Sequence, residues 1–368
     1  RPSCPFHPGR SSRRAYMAKK AKGKGGKGGG KSKGPSEEEL AKQANAVKNF
    51  QKAHAASSQA HGVEPLGIAT GTGEAAFGCA VVGPHLVAAD KGGVTALHVR
   101  ALLEGFSLSA YGYLQTLALW NVPIGNDGAA YLALYLRRRS CTLRSIELND
   151  CGVGELGCKA IGGALEDNAT VRSLQLDLNA FGDAGARALG ASLPSNKGLT
   201  SLSMQYCGLT EAAGAILAGG VLRLPSLASL ELRGNDLGSG GVVEVLRALV
   251  PLHAGGQPHP AMAHLGVADT GCAIEGELHE ALTACFDENP LCGSFDMRGA
   301  PLGDTTAYEL ITLFKKVHTH VQAFEVSATS GWGPLDPQLY KQIYAVTAAN
   351  QKGKKGGKKG KKGGKKKK

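Results

Sequence analysis

A period of 28 residues organises most of this chain and leaves few folds open to it. In "LRSIELNDCGVGELGCKAIGGAL", Leu143 to Leu165, the first residues alternate as a strand does, and the last nine carry the three-four spacing of a helix. Moving on by 28 residues gives Val171, Leu174, Leu176, Asn179, Phe181, Gly185, Leu189 and Leu193. The same step gives Leu199, Leu202, Met204, Cys207, Leu209, Ala213, Leu217 and Val221, then Leu227, Leu230, Leu232, Asn235, Leu237, Gly241, Val245 and Leu249. Going back by 29 gives Leu114, Leu117, Leu119, Val122, Ile124, Gly128, Leu132 and Leu136. After an insertion the pattern returns weakly at Met262, Leu265 and Val267, and fully from Cys292 to Phe314. A last strand stands at Val321, Phe324 and Val326.

The physics of one copy sets the architecture. A strand that buries its leucines, a turn, and a helix that points its apolar stripe back make a unit with only one side covered. Such a unit is stable only between neighbours, so the copies stack into a solenoid. Parallel strands line the inner curve and helices the outer one. Helices are about 10 Å wide and strands about 4.8 Å apart, so the stack bends. The glycine four residues after the turn's apolar residue allows a close approach where the helix begins.

One position carries finer information. Cys151, Asn179, Cys207 and Asn235 follow the strand at the 28-residue interval, where an inward side chain can bond the backbone of the turn. The framework is the pattern of leucine-rich repeats, and the Cys–Asn alternation resembles the ribonuclease-inhibitor subfamily, over about Leu114 to Val326. That subfamily includes the Ran GTPase-activating protein and the repeat regions of innate immune receptors. The resemblance implies an α/β class: a right-handed horseshoe solenoid with a parallel inner sheet and outer helices. Val122, Thr270, Ala300 and Thr329 depart from the pattern at the ladder position.

The net charge of +12 divides unevenly along the 368 residues. Residues 1–34 hold four Arg, seven Lys and no acid; residues 352–368 hold eleven Lys and no acid. The 20 basic and 30 acidic residues between them make residues 35–351 acidic. Both arms are Lys/Gly low complexity and are expected to be disordered. The division is therefore a basic arm at 1–34, an amphipathic helix at 35–60, a capping region at 61–113, repeats at 114–330 interrupted near 251–260, a helical cap at 331–350 and a Lys/Gly tail at 351–368. Met17 reads as the natural start, with residues 1–16 upstream of it. Ser36 with Glu39 forms a capping box, and Leu40, Val47 and Phe50 give a loose stripe expected to dock on the body. Leu339, Ile343 and Val346 mark the closing helix.

Signals for chemistry are weak. "GTGEAAFG" from Gly71 has no Lys-Ser or Lys-Thr and is a poor phosphate loop. His253, His259 and His264, and His318 with His320, read as a solvated loop and a polar helix end rather than as zinc ligands. No nucleophile elbow, His-Glu-x-x-His or Cys-x-x-Cys is present, so neither enzyme activity, cofactor nor metal is expected. Nine cysteines, mostly at framework positions, read as buried thiols of a reducing compartment. No apolar run approaches the ~20 residues of a membrane span.

The inner face attracts the functional reading. Side chains alternating with the buried leucines form three columns. The first runs from Thr116 through Ser145, Ser173, Ser201 and Ser229 to His264, Ser294 and Ala323. The partner-binding candidates lie in the other two columns and beside them: Trp120, Glu147, Asn149, Gln175, Asp177, Gln205, Tyr206, Glu231, Arg233, Asp296 and Arg298, with Trp120 and Tyr206 expected to be exposed. The tail lysines, Lys354, Lys355, Lys358, Lys359, Lys361 and Lys362, suit a polyanion: acidic tubulin tails, RNA or anionic lipid. No aromatics stand among them to stack bases. The expectation is a cytoplasmic scaffold that holds a protein on its concave face, in a cytoskeletal or ciliary setting. A Ran-type GTPase activator and an RNA- or ribosome-associated factor stay open as alternatives. The arms are also candidates to fold back on the acidic body.

Overall fold

The computed structural model describes residues 36–67, 78–87, 92–250, 257–330 and 333–356. The chain forms two compact units, residues 1–42 and 43–368. In the first, the described residues open helix α1 (Glu37–Ala60). The Ser36 hydroxyl oxygen accepts the Glu39 amide at 3.2 Å, and Lys42 pairs with Glu38 one turn back. The basic arm, Met17, the loop Gly71 to Phe77, His253 and Lys358 to Lys362 lie outside the described residues.

The second unit is built on one nine-stranded sheet in chain order, every pairing parallel. Its strands are β1 (Cys79–Val82), β2 (Thr116–Trp120), β3 (Ser145–Asn149), β4 (Ser173–Gln175), β5 (Ser201–Ser203), β6 (Ser229–Glu231), β7 (His264–Gly266), β8 (Ser294–Asp296) and β9 (Ala323–Glu325). A helix follows each of the first eight: α2 (Ala96–Leu108), α3 (Gly125–Leu136), α4 (Glu155–Leu165), α5 (Gly182–Ser192), α6 (Ala213–Gly219), α7 (Gly238–Arg247), α8 (Gly276–Glu288) and α9 (Asp304–Lys316). The core between sheet and helices is continuous from end to end. Leu117, Ile146, Leu174, Leu202, Leu230, Leu265 and Phe295 are all fully buried in it. The copy around Met262, Leu265 and Val267, weak in sequence, is as buried as the rest.

Glycine at the start of α5 has the steric reason anticipated. A Cβ on Gly185 would stand 2.5 Å from the Phe181 ring, which is tucked under the first helical turn. Gly185→Ala is therefore expected to destabilise by about 1–3 kcal/mol, read by urea unfolding, because the ring must leave its rotamer or the helix must shift. In α6 the requirement moves by one residue. Ala213 takes the framework position, and a Cβ on Gly214 would run into the backbone of Gly241.

Both ends of the sheet are covered. At the start, Phe50 of α1 stacks on Phe106 of α2 at 4.2 Å, and Glu104 accepts from the Ser57 hydroxyl and pairs with His61, both at 2.6 Å. At the far end a two-stranded ribbon, β10 (Thr329–Ser330) and β11 (Gly333–Pro334), leads into α10 (Pro337–Gly356). Ile343 on its inner side is fully buried, the Tyr344 hydroxyl donates to Val326 O, and Asn350 donates to Phe314 O and Val321 O. Helix α10 runs on to Gly356, so the expected boundary of a disordered tail at 351 is corrected. Gln and Lys propagate a helix already nucleated by packing, and the first tail residues extend it.

The eight described cysteines are all free thiols, seven of them buried. Among the described residues no helix is long and apolar enough to cross a membrane.

Candidate protein-binding face

The columns read from the sequence are aligned across adjacent strands. Ser145 pairs in register with Ser173, Ser173 with Ser201, and Ser201 with Ser229. One pleat further, Glu147 aligns with Gln175, Ser203 and Glu231, then with Gly266, Asp296 and Glu325. Trp120 stands opposite Asn149. Gln205, Asp177, Arg233 and Arg298 lie just beyond the strand ends.

The face is less open than the pattern implied. Trp120 is half-buried rather than exposed, and Glu147, Ser203 and Asp296 are buried. With strands about 4.8 Å apart, a short side chain is covered by its neighbours in the same column. Polar pairing adds to this. Asp177 accepts from the Ser203 hydroxyl at 2.6 Å and the Gln205 amide at 2.9 Å. Burial nonetheless pushes the Asp177 carboxyl above its ordinary range, and the nearby charges of Glu231 and Glu147 push the same way.

Further along, charges neutralise one another. His264 bridges Glu231 and the Ser294 hydroxyl, both at 2.8 Å, and the Glu231 carboxylate raises its imidazole above the ordinary value. Arg233 pairs with Asp269 at 2.7 Å. Arg298 holds Asp296 through two hydrogen bonds and reaches Glu325 at 3.4 Å.

Behind the face, the alternating ladder satisfies the turn backbone. Asn179 Oδ1 accepts from the Cys151 and Val153 amides, both at 3.0 Å, while its Nδ2 donates to Leu148 O and Leu176 O. Asn235 repeats the arrangement with Cys207, Leu209, Met204 and Leu232. The thiols of Cys151 and Cys207 donate to Leu119 O and Leu176 O. Each copy thus fills the same carbonyl of its predecessor, by amide or thiol in turn. At the outer copies Thr270 instead bonds Val267 O within its own turn.

A second ladder escaped the sequence reading. Asn168, Asn196, His259 and Asn289 stand three residues before a framework apolar residue, at the opposite end of the strands. Their amides or ring nitrogens bond Leu136 O, Leu165 O, Leu224 O and Leu249 O respectively. The 28-residue interval from Asn168 to Asn196 was the available signal. His259 is therefore a buried structural group, not part of a solvated loop, and His318, just past the end of α9 as expected, is buried against Phe286 with Asp287 at 3.4 Å. Among the described residues no cluster of His, Cys, Asp or Glu could hold a metal.

The residue just before each ladder position from Val122 to Ala300 has a left-handed backbone. The series is Asn121, Asp150, Leu178, Tyr206, Gly234, Asp269 and Gly299. Asn, Asp and Gly tolerate that conformation; Leu and Tyr do not. Leu178 (φ 62°, 47% exposed) and Tyr206 (φ 54°, 43% exposed) are neighbouring occupants that project from adjacent turns at the rim of the inner face. Tyr206 also lies over Gly234, where a Cβ would collide with its ring. Sequence reasoning picked out Tyr206 and missed Leu178; its backbone conformation separates it from the leucines of the core.

With this geometry in place, comparison with known proteins bears on the repeats. The profile described as "Leucine Rich repeat" matches residues 139–162, 167–190 and 223–246. The fold is a leucine-rich-repeat solenoid. Repeats of this class build protein-binding scaffolds. The narrower likeness to the ribonuclease-inhibitor subfamily rests on the Cys–Asn alternation alone. No curated protein matches the chain. Among solved structures, "Leiomodin-1 Actin-Binding Site 2 (ABS2)" matches at 14% identity over 63% of this chain and 92% of that one, with a TM-score of 0.27. A likeness that low carries no argument about the solenoid's partner.

Proposed function

We propose that this solenoid is a scaffold whose protein partner docks across the inner sheet face and is anchored by Leu178 and Tyr206. The observation that carries the reading is the exposure of two bulky apolar side chains in left-handed turns. Such a backbone costs roughly 1–2 kcal/mol in a non-glycine residue. Strain of this kind, at an exposed apolar pair on a rigid repeat frame, is characteristic of binding sites. Beside the pair, the half-buried Asp177, whose carboxyl is raised by burial and by neighbouring acids, favours a cationic group on the partner. The Lys-rich segments, including Lys354 and Lys355, would hold the assembly on a polyanionic surface such as acidic tubulin tails.

The test uses the full chain and a Leu178→Asn/Tyr206→Asn variant. Proteins retained by the native chain and lost by the variant are identified, and the affinity of one purified partner is measured calorimetrically. A loss of at least tenfold is expected, together with a gain of about 1–2 kcal/mol in stability from relief of strain. Equal affinity for both chains would remove the apolar pair from the interface.

A further inference from the structure

The two edges of the sheet carry opposite charge. The turns leaving the strands hold Asp150, Glu211 and Asp236, and the first turns of the helices that follow hold Asp127, Glu155 and Asp183. The cations at that end, Arg233 and Arg298, are each paired with an Asp. The opposite turns, which lead from helices into strands, hold Arg137, Arg138, Arg139, Arg144, Arg172 and Lys197, all exposed. Glu166 and Asp167 share those turns and form no ion pair with them.

Two of these arginines are aligned. Arg144 and Arg172 each stand one residue before a strand, and the Arg172 amide donates to Arg144 O, so their side chains leave from neighbouring strand starts. The Arg172 guanidinium is steadied by Gly198 O at 2.7 Å, while Arg144 has no side-chain bond among the described residues. Between them opens a cavity of about 350 Å³, also lined by Gln115, Cys141, Thr142 and Thr170. Like charges one strand apart repel, and no acid among the described residues forms an ion pair with either; an anion placed between them would relieve the repulsion. Asn350 of α10 donates to Val321 O, just before β9, so this helix also reaches the edge at which the strands begin.

We propose that the Arg144–Arg172 shelf is a second binding site, separate from the inner face, that takes a carboxylate-rich polypeptide segment. A guanidinium fork matches a carboxylate in bidentate geometry, which lysine cannot do. Two forks one strand apart suit an extended acidic chain. The turns forming the shelf present no fully exposed aromatic ring, Tyr113 being half-buried edge-on to Tyr111, so base stacking, which favours single-stranded nucleic acid, is disfavoured. The lysine-rich tail adds positive charge and strengthens capture without supplying geometry.

The experiment measures binding of an oligoglutamate peptide by fluorescence anisotropy at low salt. Four variants are compared with the full chain: Arg144→Glu alone, Arg144→Glu with Arg172→Glu, Lys159→Ala on the outer face of α4, and Tyr206→Asn. Each is also made without residues 357–368. Arg144→Glu removes no internal bond and reads the site without a cost to folding. The double arginine variant is expected to weaken binding at least about tenfold with or without the tail, and tail removal to weaken it by a separate, multiplying factor. Lys159→Ala and Tyr206→Asn should leave it unchanged, which keeps this site distinct from the inner-face reading. Unchanged affinity of the double variant in the tail-less chain overturns the proposal. So does tighter, arginine-dependent binding of a single-stranded RNA of equal charge. A sedimentation shift showing that the arginines instead join two copies of this chain overturns it equally.

Discussion

Replacing Asn179 by alanine is expected to cost the solenoid about 4 kcal/mol, more than any other single change to the turns. The side chain is fully buried and saturates both functions of its amide. It accepts from two backbone N–H groups of the preceding turn, Cys151 and Val153, and donates to Leu148 O and Leu176 O. Alanine leaves those groups without partners in a site between stacked copies, at about 1–3 kcal/mol for each orphaned group, offset in part where water enters. Cys207→Ala is the internal comparison. It removes only the thiol's bonds to Leu176 O and Gln205 O, and about 1–2 kcal/mol is expected from lost packing. Urea unfolding of both variants checks the ranking. If Asn179→Ala were no more damaging than Cys207→Ala, the ladder would be ornamental to the fold.

Mild acid is expected to loosen the docking of α1. His54 is buried against Phe50, and burial, reinforced by His98, lowers its imidazole from 6.5 to about 4. Between those values the unfolded chain binds a proton that the folded chain refuses, so stability rises with pH across that window. The contribution is complete above pH 6.5 and lost as the pH falls to 4. A shift of this size corresponds to about 3 kcal/mol. Burial lowers His98 too, in the same sense. Glu104 acts later. Burial raises its carboxyl, but the hydrogen bonds from Ser57, His61 and Arg100 overcome this and bring it to about 2. Its contribution is present above about pH 4.5 and disappears toward pH 2. Urea titrations from pH 7 to pH 4 should show the loss, and His54→Leu should flatten it. An unchanged slope in that variant would assign the acid sensitivity to another group.

The framework and its consequences were legible in the amino-acid order. The buried strand positions need no coordinates to be placed: Ile146, Leu174, Leu202 and Leu230 must share one face because the strand period is two and the copies are 28 residues apart. From that alone followed the parallel register, the columns of Glu147, Gln175, Ser203 and Glu231, and the position of the asparagine ladder. What the inner face offers a partner was not legible. Trp120, Glu147 and Asp296 lost their expected openness because accessibility is set by side chains one copy away, which a single period cannot weigh. Leu178 looked like one more leucine. Only its backbone angle, imposed by the turn between β4 and Asn179, turns it outward beside Tyr206.

The same division holds for charge and for the chain ends. Composition separated an acidic body from two basic arms, yet it could not sort that body into an acidic edge and a basic one. Asp150 and Arg144 are six residues apart in sequence and lie at opposite ends of one strand. The order of residues determined which side chains are buried and which copies are neighbours, because burial follows periodicity and stacking follows repetition. The tertiary structure alone decided which exposed groups stand together and which are already neutralised, because those depend on distances between residues far apart in the chain.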